Sequence, residues 1–213
     1  MQLKEYKKEL LSVEKIWLKS YPQGVPAEIN PDAYQSLAEV IEQSCQQFRD
    51  RPAFYNMGVS LTYAQLDEYS REFAAYLQHE LKLKKGDRLA IMLPNILQYP
   101  IVLFGALRAG LVVVNVNPLY TADELAYQLN NSGAATIVAL TNFASTVQKA
   151  LPRVSALKNV IITDLGDLFS PFKRWMTHLV LKYIYKKIPQ WDIPGAIPFR
   201  KALARGKELP FIK

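Results

Sequence analysis

The sequence predicts an α/β protein with a doubly wound, mostly parallel sheet and helices on both faces. From Arg88 onward, short apolar runs alternate with amphipathic stretches in the order β-α-β-α-β-α-β. The apolar runs are continuous rather than alternating, which is typical of strands that helices bury on both sides. Right-handed crossovers between such strands produce a layered sheet.

Each predicted element has a local signal at its start or its end. Capping boxes, with a Ser or Thr three residues before a Glu or Gln, predict helix starts at Ser36, Thr62 and Thr121. Gly110 and Gly133 are placed to end helices. Two short strands are expected around Met57-Gly58. The remaining strands are predicted at 88–93, 111–114, 135–140 and 159–163, and the remaining helices at 98–109 and 142–151.

Composition excludes several classes of protein. Half of the 213 residues are hydrophobic and 21% are charged, as in a globular protein rather than a disordered chain. The single cysteine, Cys45, excludes an internal disulfide and lies on an apolar helical stripe, so we expect a buried residue rather than a catalytic thiol. The N-terminus lacks an apolar signal core, and the most apolar stretch, 91–116, is interrupted by Pro94 and Arg108. We therefore expect a cytoplasmic protein.

The net charge of +7 lies in one part of the chain. Residues 165–213 hold ten Lys/Arg and three Asp/Glu, whereas the 16 Lys/Arg and 16 Asp/Glu of residues 1–164 cancel. We accordingly predict three regions: a helical extension and linker over 1–35, an α/β subdomain over 36–164, and a basic segment over 165–213. An electrostatic partner is expected at the basic segment.

The usual catalytic and phosphate-binding patterns are missing from the sequence. The nine glycines form neither G-x-G-x-x-G nor a P-loop, and no G-x-S-x-G is present. His79 and His178 have no evident acid or nucleophile partner in sequence. The paired carboxylates Asp67-Glu68 and Asp123-Glu124 fall near predicted helix starts, where the helix dipole accounts for them. Two histidines and one cysteine also argue against a classical zinc site.

Several short motifs follow one another along the chain: Leu61-Thr62-Tyr63, the run KGDRLAIMLPN over 85–95, the run FGALRAG over 104–110 and the run VNVNPLYT over 114–121. Their order resembles the AMP-binding, adenylate-forming enzymes, and bacterial long-chain fatty-acid–CoA ligases in particular. Two runs that precede these motifs, WLKSYP over 17–22 and PDAYQSL over 31–37, also resemble segments of these ligases. The resemblance covers nearly the whole chain, from about Ile16 to the end.

The resemblance implies the N-terminal subdomain of such a ligase. The family uses ATP and Mg²⁺ to turn a fatty acid into an acyl-adenylate, and then transfers the acyl group to coenzyme A. Its Thr/Gly-rich phosphate loop, magnesium-binding Glu, ribose-binding Asp and C-terminal Lys have no counterpart in this sequence. No catalytic, cofactor-binding or metal-binding residue is therefore carried over. We expect that this chain alone binds no cofactor and is inactive, whether it comes from a truncated or a split gene or is an expressed fragment.

The basic segment contains a predicted amphipathic helix over 171–188. Its apolar stripe is rich in aromatic residues, and its other face is basic, the pattern of an interfacial helix. Two interpretations stay open: the stripe packs on the body of the protein, or it contacts an anionic membrane surface on the inner face of the membrane. The residues predicted to contact a membrane are Lys173, Arg174, Trp175, Lys182, Lys186 and Lys187.

Three functions compete at this point. The first is a ligase portion that acts on fatty acid, ATP and coenzyme A together with a C-terminal part. The second is a non-catalytic module, derived from the ligase fold, that binds a membrane or a protein partner. Nucleic-acid binding is disfavoured, because the body is neutral and the aromatic residues of the basic helix share one stripe instead of alternating with Lys and Arg. Whether the chain forms a homodimer stays open.

Overall fold

The computed structural model describes residues 15–184 and 189–212, apart from the side chain of Lys182. Contacts divide the chain into two units, Met1–Gln35 and Ser36–Lys213. In the first unit, Ile16–Ser20 form a 3₁₀ turn rather than part of an α-helix. Lys15 and Glu28 form an ion pair of 2.6 Å on the surface of this unit. The rest of the predicted N-terminal helix, residues 1–14, lies outside the described residues.

The second unit is built from seven strands and seven α-helices among the described residues. The strands are β1 (Pro52–Asn56), β2 (Val59–Thr62), β3 (Arg88–Met92), β4 (Val112–Asn115), β5 (Thr136–Leu140), β6 (Asn159–Thr163) and β7 (Ile197–Pro198). The helices are α1 (Leu37–Gln47), α2 (Tyr63–His79), α3 (Gln98–Arg108), α4 (Ala122–Ser132), α5 (Ala144–Ala150), α6 (Pro171–Leu179) and α7 (Phe199–Lys207).

The main sheet is parallel and has the strand order β4-β3-β5-β6-β7. The chain first moves outward from β3 to β4 and then returns to place β5 on the other side of β3. This reversal is the topological switch of doubly wound sheets, and it confirms the predicted fold class. The hairpin β1–β2 forms a separate antiparallel pair.

Successive residues of the central strands point to opposite faces, and each face has its own core. Leu89, Ile91 and Val138 pack with α1, α2, α3 and α7, whereas Ala90 and Ile137 pack with α4 and α5. The strands are therefore buried on both sides, which explains why their sequences are continuous apolar runs.

Two glycines let helices approach α2 closely. A Cβ at Gly105 of α3 would lie 2.8 Å from the Phe73 ring, and a Cβ at Gly206 of α7 would lie 1.9 Å from the carbonyl oxygen of Glu72. Phe73 and Phe199 meet between α2 and α7 with ring centroids 5.6 Å apart. The three helices form one tightly packed layer because these two positions carry no side chain.

The predicted helix ends are largely confirmed. Complete capping boxes start α2 at Thr62 and α4 at Thr121, and Gly133 ends α4 with a left-handed backbone (φ 65°). At Ser36 the hydroxyl accepts a hydrogen bond from the Glu39 backbone N–H. The hydrogen bond from the Thr121 backbone N–H holds the pKa of the Glu124 carboxyl below its usual range.

Three parts of the fold differ from the sequence-based expectation. Strand β4 lies at the edge of the sheet, with Val112 48% exposed, because an apolar run does not tell an edge strand from a central one. The predicted helix 171–188 is α-helical only to Leu179 and continues as a π-helix over Val180–Ile184. Strand β7 and helix α7 were not predicted, although the buried residues of α7 recur at helical spacing: Phe199, Ala202, Leu203 and Gly206.

Candidate functional site

The carboxyl edge of the sheet is where doubly wound proteins bind ligands, and three segments of this chain meet there. In the loop that follows β3, the backbone carbonyl of Asn95 accepts a hydrogen bond from the side-chain amide of Asn56 in the β1–β2 hairpin (3.3 Å). The buried side-chain amide of Gln98, at the start of α3, donates to the backbone carbonyl of Asp164, the residue that follows β6 (2.8 Å). The hairpin, α3 and the turn that leads to α6 are therefore tied to one another at this edge.

The turn between β6 and α6 contains a carboxyl group with a strongly shifted pKa. One oxygen of Asp167 accepts hydrogen bonds from the Thr163 hydroxyl and the Asp164 backbone N–H, both at 2.9 Å. Burial raises the pKa of Asp167 to about 6, although these two hydrogen bonds act in the opposite direction. Arg174 of α6 also favours the charged form, and the charge of Asp164 opposes it.

We predict that Asp167 makes the protein less stable as the pH rises from about 4 to about 6. A carboxyl whose folded pKa lies above its unfolded value stabilises the fold while protonated, and loses that contribution as it ionises. In Asp167→Asn the amide oxygen accepts the same hydrogen bonds without a charge. Above pH 6.5 we expect the free energy of unfolding of the variant to exceed that of the wild type by at most about 3 kcal/mol. This difference should shrink towards pH 4. Urea unfolding at several pH values measures this, and a constant difference from pH 4 to 8 would contradict it.

The basic residues near the start of α6 face the body of the protein. The ammonium group of Lys173 donates a hydrogen bond to the carbonyl of Met57 and lies 5.2 Å from the centre of the Phe169 ring. The stem of Arg174 covers Gly166, where a Cβ would lie 3.1 Å from Arg174 Cγ. Both side chains are only half exposed. Two of the predicted membrane contacts are thus placed between α6 and the body.

The apolar stripe of α6 faces outward instead. Phe172 is 73% exposed, Trp175 58% and Met176 41%, and the two aromatic rings lie 6.4 Å apart. Tyr183 and Ile184, in the following π-helix, are also exposed. Within the described part of the chain, this stripe is therefore largely uncovered. The first of the two interpretations, in which the stripe packs on the body, describes the opposite arrangement.

The remaining predicted membrane contacts are three lysines. Lys182 lies in the π-helix, and its side chain is not described. Lys186 and Lys187 lie outside the described residues.

The basic excess of residues 165–213 is partly matched by acids on α2 and directly after it. Arg205 of α7 pairs with Glu80 at 2.9 Å, and Lys207 lies 3.5 Å from Glu68. These contacts lie on the α2–α7 side of the sheet, and α6 itself carries no acidic residue. The five Lys/Arg of residues 171–188 thus have no acid within that segment.

Three other side chains considered from the sequence, one cysteine and two histidines, can now be placed in the structure. Cys45 is buried, and burial, followed by the nearby Asp67 carboxylate, raises the pKa of its thiol, which disfavours the nucleophilic thiolate. His79 Nε2 lies 2.7 Å from the carbonyl oxygen of Pro210. His178 lines a small cavity with Thr141 and Arg174.

The helix-dipole explanation of Asp67 is wrong. Asp67 lies beyond the first turn of α2, and its carboxylate contacts the guanidinium of Arg108 at 2.6 Å. The Arg108 side chain is completely buried, and its Nε has no hydrogen-bond partner among the described residues. Asp67 also contacts Arg71 at 3.1 Å. The sequence does contain one signal for this pair: an arginine near the end of the apolar helix α3, which needs an acidic partner.

The carboxyl edge offers no recognisable cradle for phosphate within the described ranges 15–184 and 189–212. No glycine with positive φ directly follows a strand of the main sheet in these ranges, and Leu93-Pro94 follows β3. In the same ranges, no three His, Cys, Asp or Glu side chains come together as a metal site would require. Nor does any helix there combine the length and apolar character needed to cross a bilayer.

A comparison with protein families decides the assignment. The model of the AMP-binding enzyme family matches residues 41–177, from α1 to α6. The chain belongs to the AMP-binding enzyme family. The match includes all the strands of this AMP-binding chain except β7.

Within the AMP-binding enzymes, the chain can also be compared with individual relatives. A long-chain-fatty-acid–CoA ligase of Salmonella typhimurium is 52% identical over 201 residues, which cover 94% of this chain and 36% of the relative. The corresponding ligase of Escherichia coli O157:H7 gives the same values. The chain thus spans about a third of the length of these ligases, and it corresponds to an N-terminal portion of them.

Solved structures support the fold. A putative long-chain-fatty-acid CoA ligase from Rhodopseudomonas palustris superposes with a TM-score of 0.60 at 22% identity, over 78% of this chain and 36% of that one. At this identity the likeness concerns the fold alone. It confirms an α/β fold with a parallel five-stranded sheet and helices.

Proposed function

We propose that this chain is the N-terminal subdomain of a long-chain fatty-acid–CoA ligase and acts only together with a C-terminal part. The observation that carries the proposal is the 52% identity to long-chain-fatty-acid–CoA ligases across 94% of the chain. In the complete enzyme, ATP, Mg²⁺ and coenzyme A are bound largely by that other part. This chain contributes the doubly wound layer and its carboxyl edge.

The inactivity of the chain alone is argued from its chemistry. Acyl-adenylate formation needs positive charge or backbone N–H groups around the transferred phosphate. The sequence contains no Thr/Gly-rich loop, and the carboxyl end of β3 continues as Leu93-Pro94, where proline has no N–H to donate. The buried Arg108 guanidinium is occupied by the partly exposed Asp67 carboxylate. We therefore expect no turnover without the missing part.

A chimaera tests the ligase assignment. The matching segment of the Salmonella typhimurium ligase is replaced by this chain, and fatty-acid-dependent AMP release is measured with oleate, ATP, Mg²⁺ and coenzyme A. We expect a chimaera with activity within about tenfold of the parent, a loss of at most about 1.4 kcal/mol in transition-state stabilisation. The isolated chain should give no AMP above background.

Two outcomes would contradict this proposal. AMP formation by the isolated chain would show that it holds catalytic groups of its own. A folded chimaera that binds ATP but does not activate fatty acid would instead favour a non-catalytic module. The parent ligase without the exchanged segment serves as the control for background activity.

We further propose that α6 contacts an anionic membrane on its cytoplasmic side. Its outward stripe presents Phe172, Trp175 and Met176 to solvent. The segment 171–188 has five Lys/Arg and no Asp/Glu, and each basic residue near an anionic leaflet contributes about 1 kcal/mol. A fatty acid that arrives from the bilayer would be released next to the enzyme.

Vesicle binding tests this contact. Replacing Phe172 and Trp175 together by serine should weaken binding to phosphatidylglycerol vesicles at least tenfold, because both aromatic rings are exposed in the free protein and would be buried in the interface. The matched control replaces Leu119 and Tyr127, which are 82% and 74% exposed near α4, by serine. Equal binding of both double variants would contradict the membrane contact.

A further inference from the structure

The tip of the β1–β2 hairpin is a second exposed apolar element at the carboxyl edge of the sheet. Its turn, Met57-Gly58, has positive φ at both residues (48° and 73°), the geometry of a tight hairpin connection. Tyr55 is 74% exposed and Met57 51%. Residues 52–62 include no Asp, Glu, Lys or Arg. The tip therefore offers an aromatic residue and a methionine to solvent with no charge among them.

Lys173 fixes this tip to α6. Its ammonium group donates to the carbonyl of Met57, and a Cβ at Gly58 would lie 3.1 Å from the same nitrogen. The absence of a side chain at Gly58 thus makes room for the lysine. The Tyr55 hydroxyl lies 3.9 Å from that Cβ position. The hydrogen bond from Asn56 to Asn95 holds the hairpin at a second point.

The tip contacts α6 at Lys173, whose ammonium group donates to the carbonyl of Met57. Phe172, the most exposed aromatic residue of α6, is the chain neighbour of this lysine. Tyrosine and tryptophan are the aromatic residues that prefer the boundary between water and lipid, since one end of each is polar. If the tip and the stripe act together, they present four exposed apolar or aromatic side chains: Tyr55, Met57, Phe172 and Trp175.

We infer that the hairpin tip and α6 form one surface that docks on an anionic lipid bilayer, with Lys173 as the joint that holds them side by side. The inference rests on the membrane contact proposed for α6 and adds the hairpin tip to it. An anionic bilayer fits the charge of this surface, because the basic segment 171–188 has no acid and the hairpin is uncharged. The tip would insert its apolar side chains beside the stripe.

Site-directed fluorescence tests this arrangement in the full 213-residue chain. Met57→Cys and Phe172→Cys are labelled in turn with an environment-sensitive dye, and Leu119→Cys near α4 is the matched exposed control. The native Cys45 is buried and is replaced by alanine in all three. With vesicles of phosphatidylglycerol that carry a quencher in the acyl chains, we expect at least a twofold loss of emission at positions 57 and 172. Position 119 should change by less than a tenth.

The outcomes separate this inference from the proposal on which it rests. Quenching at 172 with none at 57 overturns the inference and leaves the α6 contact intact, whereas no quenching at either position overturns both. Loss of label access at 57 in the ligase chimaera, without vesicles, would identify the rest of the ligase as the occupant and also overturn the inference.

A further variant tests the joint. Lys173→Met keeps a long side chain but cannot donate to Met57. We expect it to halve the quenching at 57 while quenching at 172 changes less. An unaltered response at 57 would overturn the role of Lys173.

Discussion

Replacing Gly206 by alanine is expected to destabilise the protein by about 3 kcal/mol or more. The new methyl group would lie 1.9 Å from the carbonyl oxygen of Glu72, far inside any allowed contact. Helix α7 would have to move away from α2, which would open the contact between Phe73 and Phe199. Chemical unfolding by urea measures the loss, and an unfolded variant counts as its extreme.

The control for Gly206→Ala tests helix propensity in the same element. Propensity alone favours alanine over glycine by about 1 kcal/mol, so it predicts that Gly206→Ala stabilises α7. The exposed Ala204 tests this term: Ala204→Gly should cost about 1 kcal/mol. If Gly206→Ala were instead as stable as the wild type, α7 could not be packed against α2 as described.

The second large effect is expected at the buried ion pair. Asp67→Ala removes the partner of a completely buried arginine and leaves the Arg108 charge without compensation. Breaking a buried pair in this way typically costs about 3 to 5 kcal/mol. We expect a loss of at least about 3 kcal/mol for Asp67→Ala in urea unfolding, with retention of the α/β circular dichroism spectrum in the folded fraction.

A double-mutant cycle distinguishes loss of the pair from loss of packing. Arg108→Met removes the buried charge and keeps much of the volume, and Asp67 retains Arg71 as a partner, so we expect a smaller loss than in Asp67→Ala. The double variant Asp67→Ala/Arg108→Met should be more stable than Asp67→Ala alone. Strictly additive effects would show that the two side chains do not act as a pair.

The strands and helix starts of the central layer could be predicted well because each depends on residues that are close together in sequence. A strand buried on both faces has to be apolar throughout, and a capping box satisfies backbone N–H groups within three residues of Thr62 or Thr121. The same signals say nothing about the position of a strand in the sheet. The run at Val112 therefore gave no indication that β4 lies at the edge, since the order of strands depends on the crossovers.

The segment after β6 was harder to predict because its packing depends on residues far away in sequence. The amphipathic pattern of α6 was recognised, but not which face turns outward. The inward direction is set by Lys173 at the hairpin and Arg174 at Gly166, and neither contact leaves a local signature. Helix α7 was overlooked because its four basic residues dominate the pattern, while glycine stands at one of its core positions.

Asp67 illustrates the same difficulty for polar groups. In sequence it is an acid next to another acid near a helix start, which the helix dipole could explain. Its partner, Arg108, is 41 residues away and lies on a different helix. The buried ion pair could be expected only from the rule that an arginine within an apolar helix needs an acid, and that rule does not say which acid.

The packing of α7 on α2 also bears on how the chain folds as it leaves the ribosome. Phe73 meets Phe199, so one apolar side of α2 stays without its partner until α7 has been synthesised. At 5–20 residues per second, the interval between Phe73 and Lys207 is roughly 7–27 s. Throughout that interval α2 exposes a surface that a chaperone can bind. Slower translation of the segment between α6 and α7 would prolong this exposure and lower the yield of folded protein.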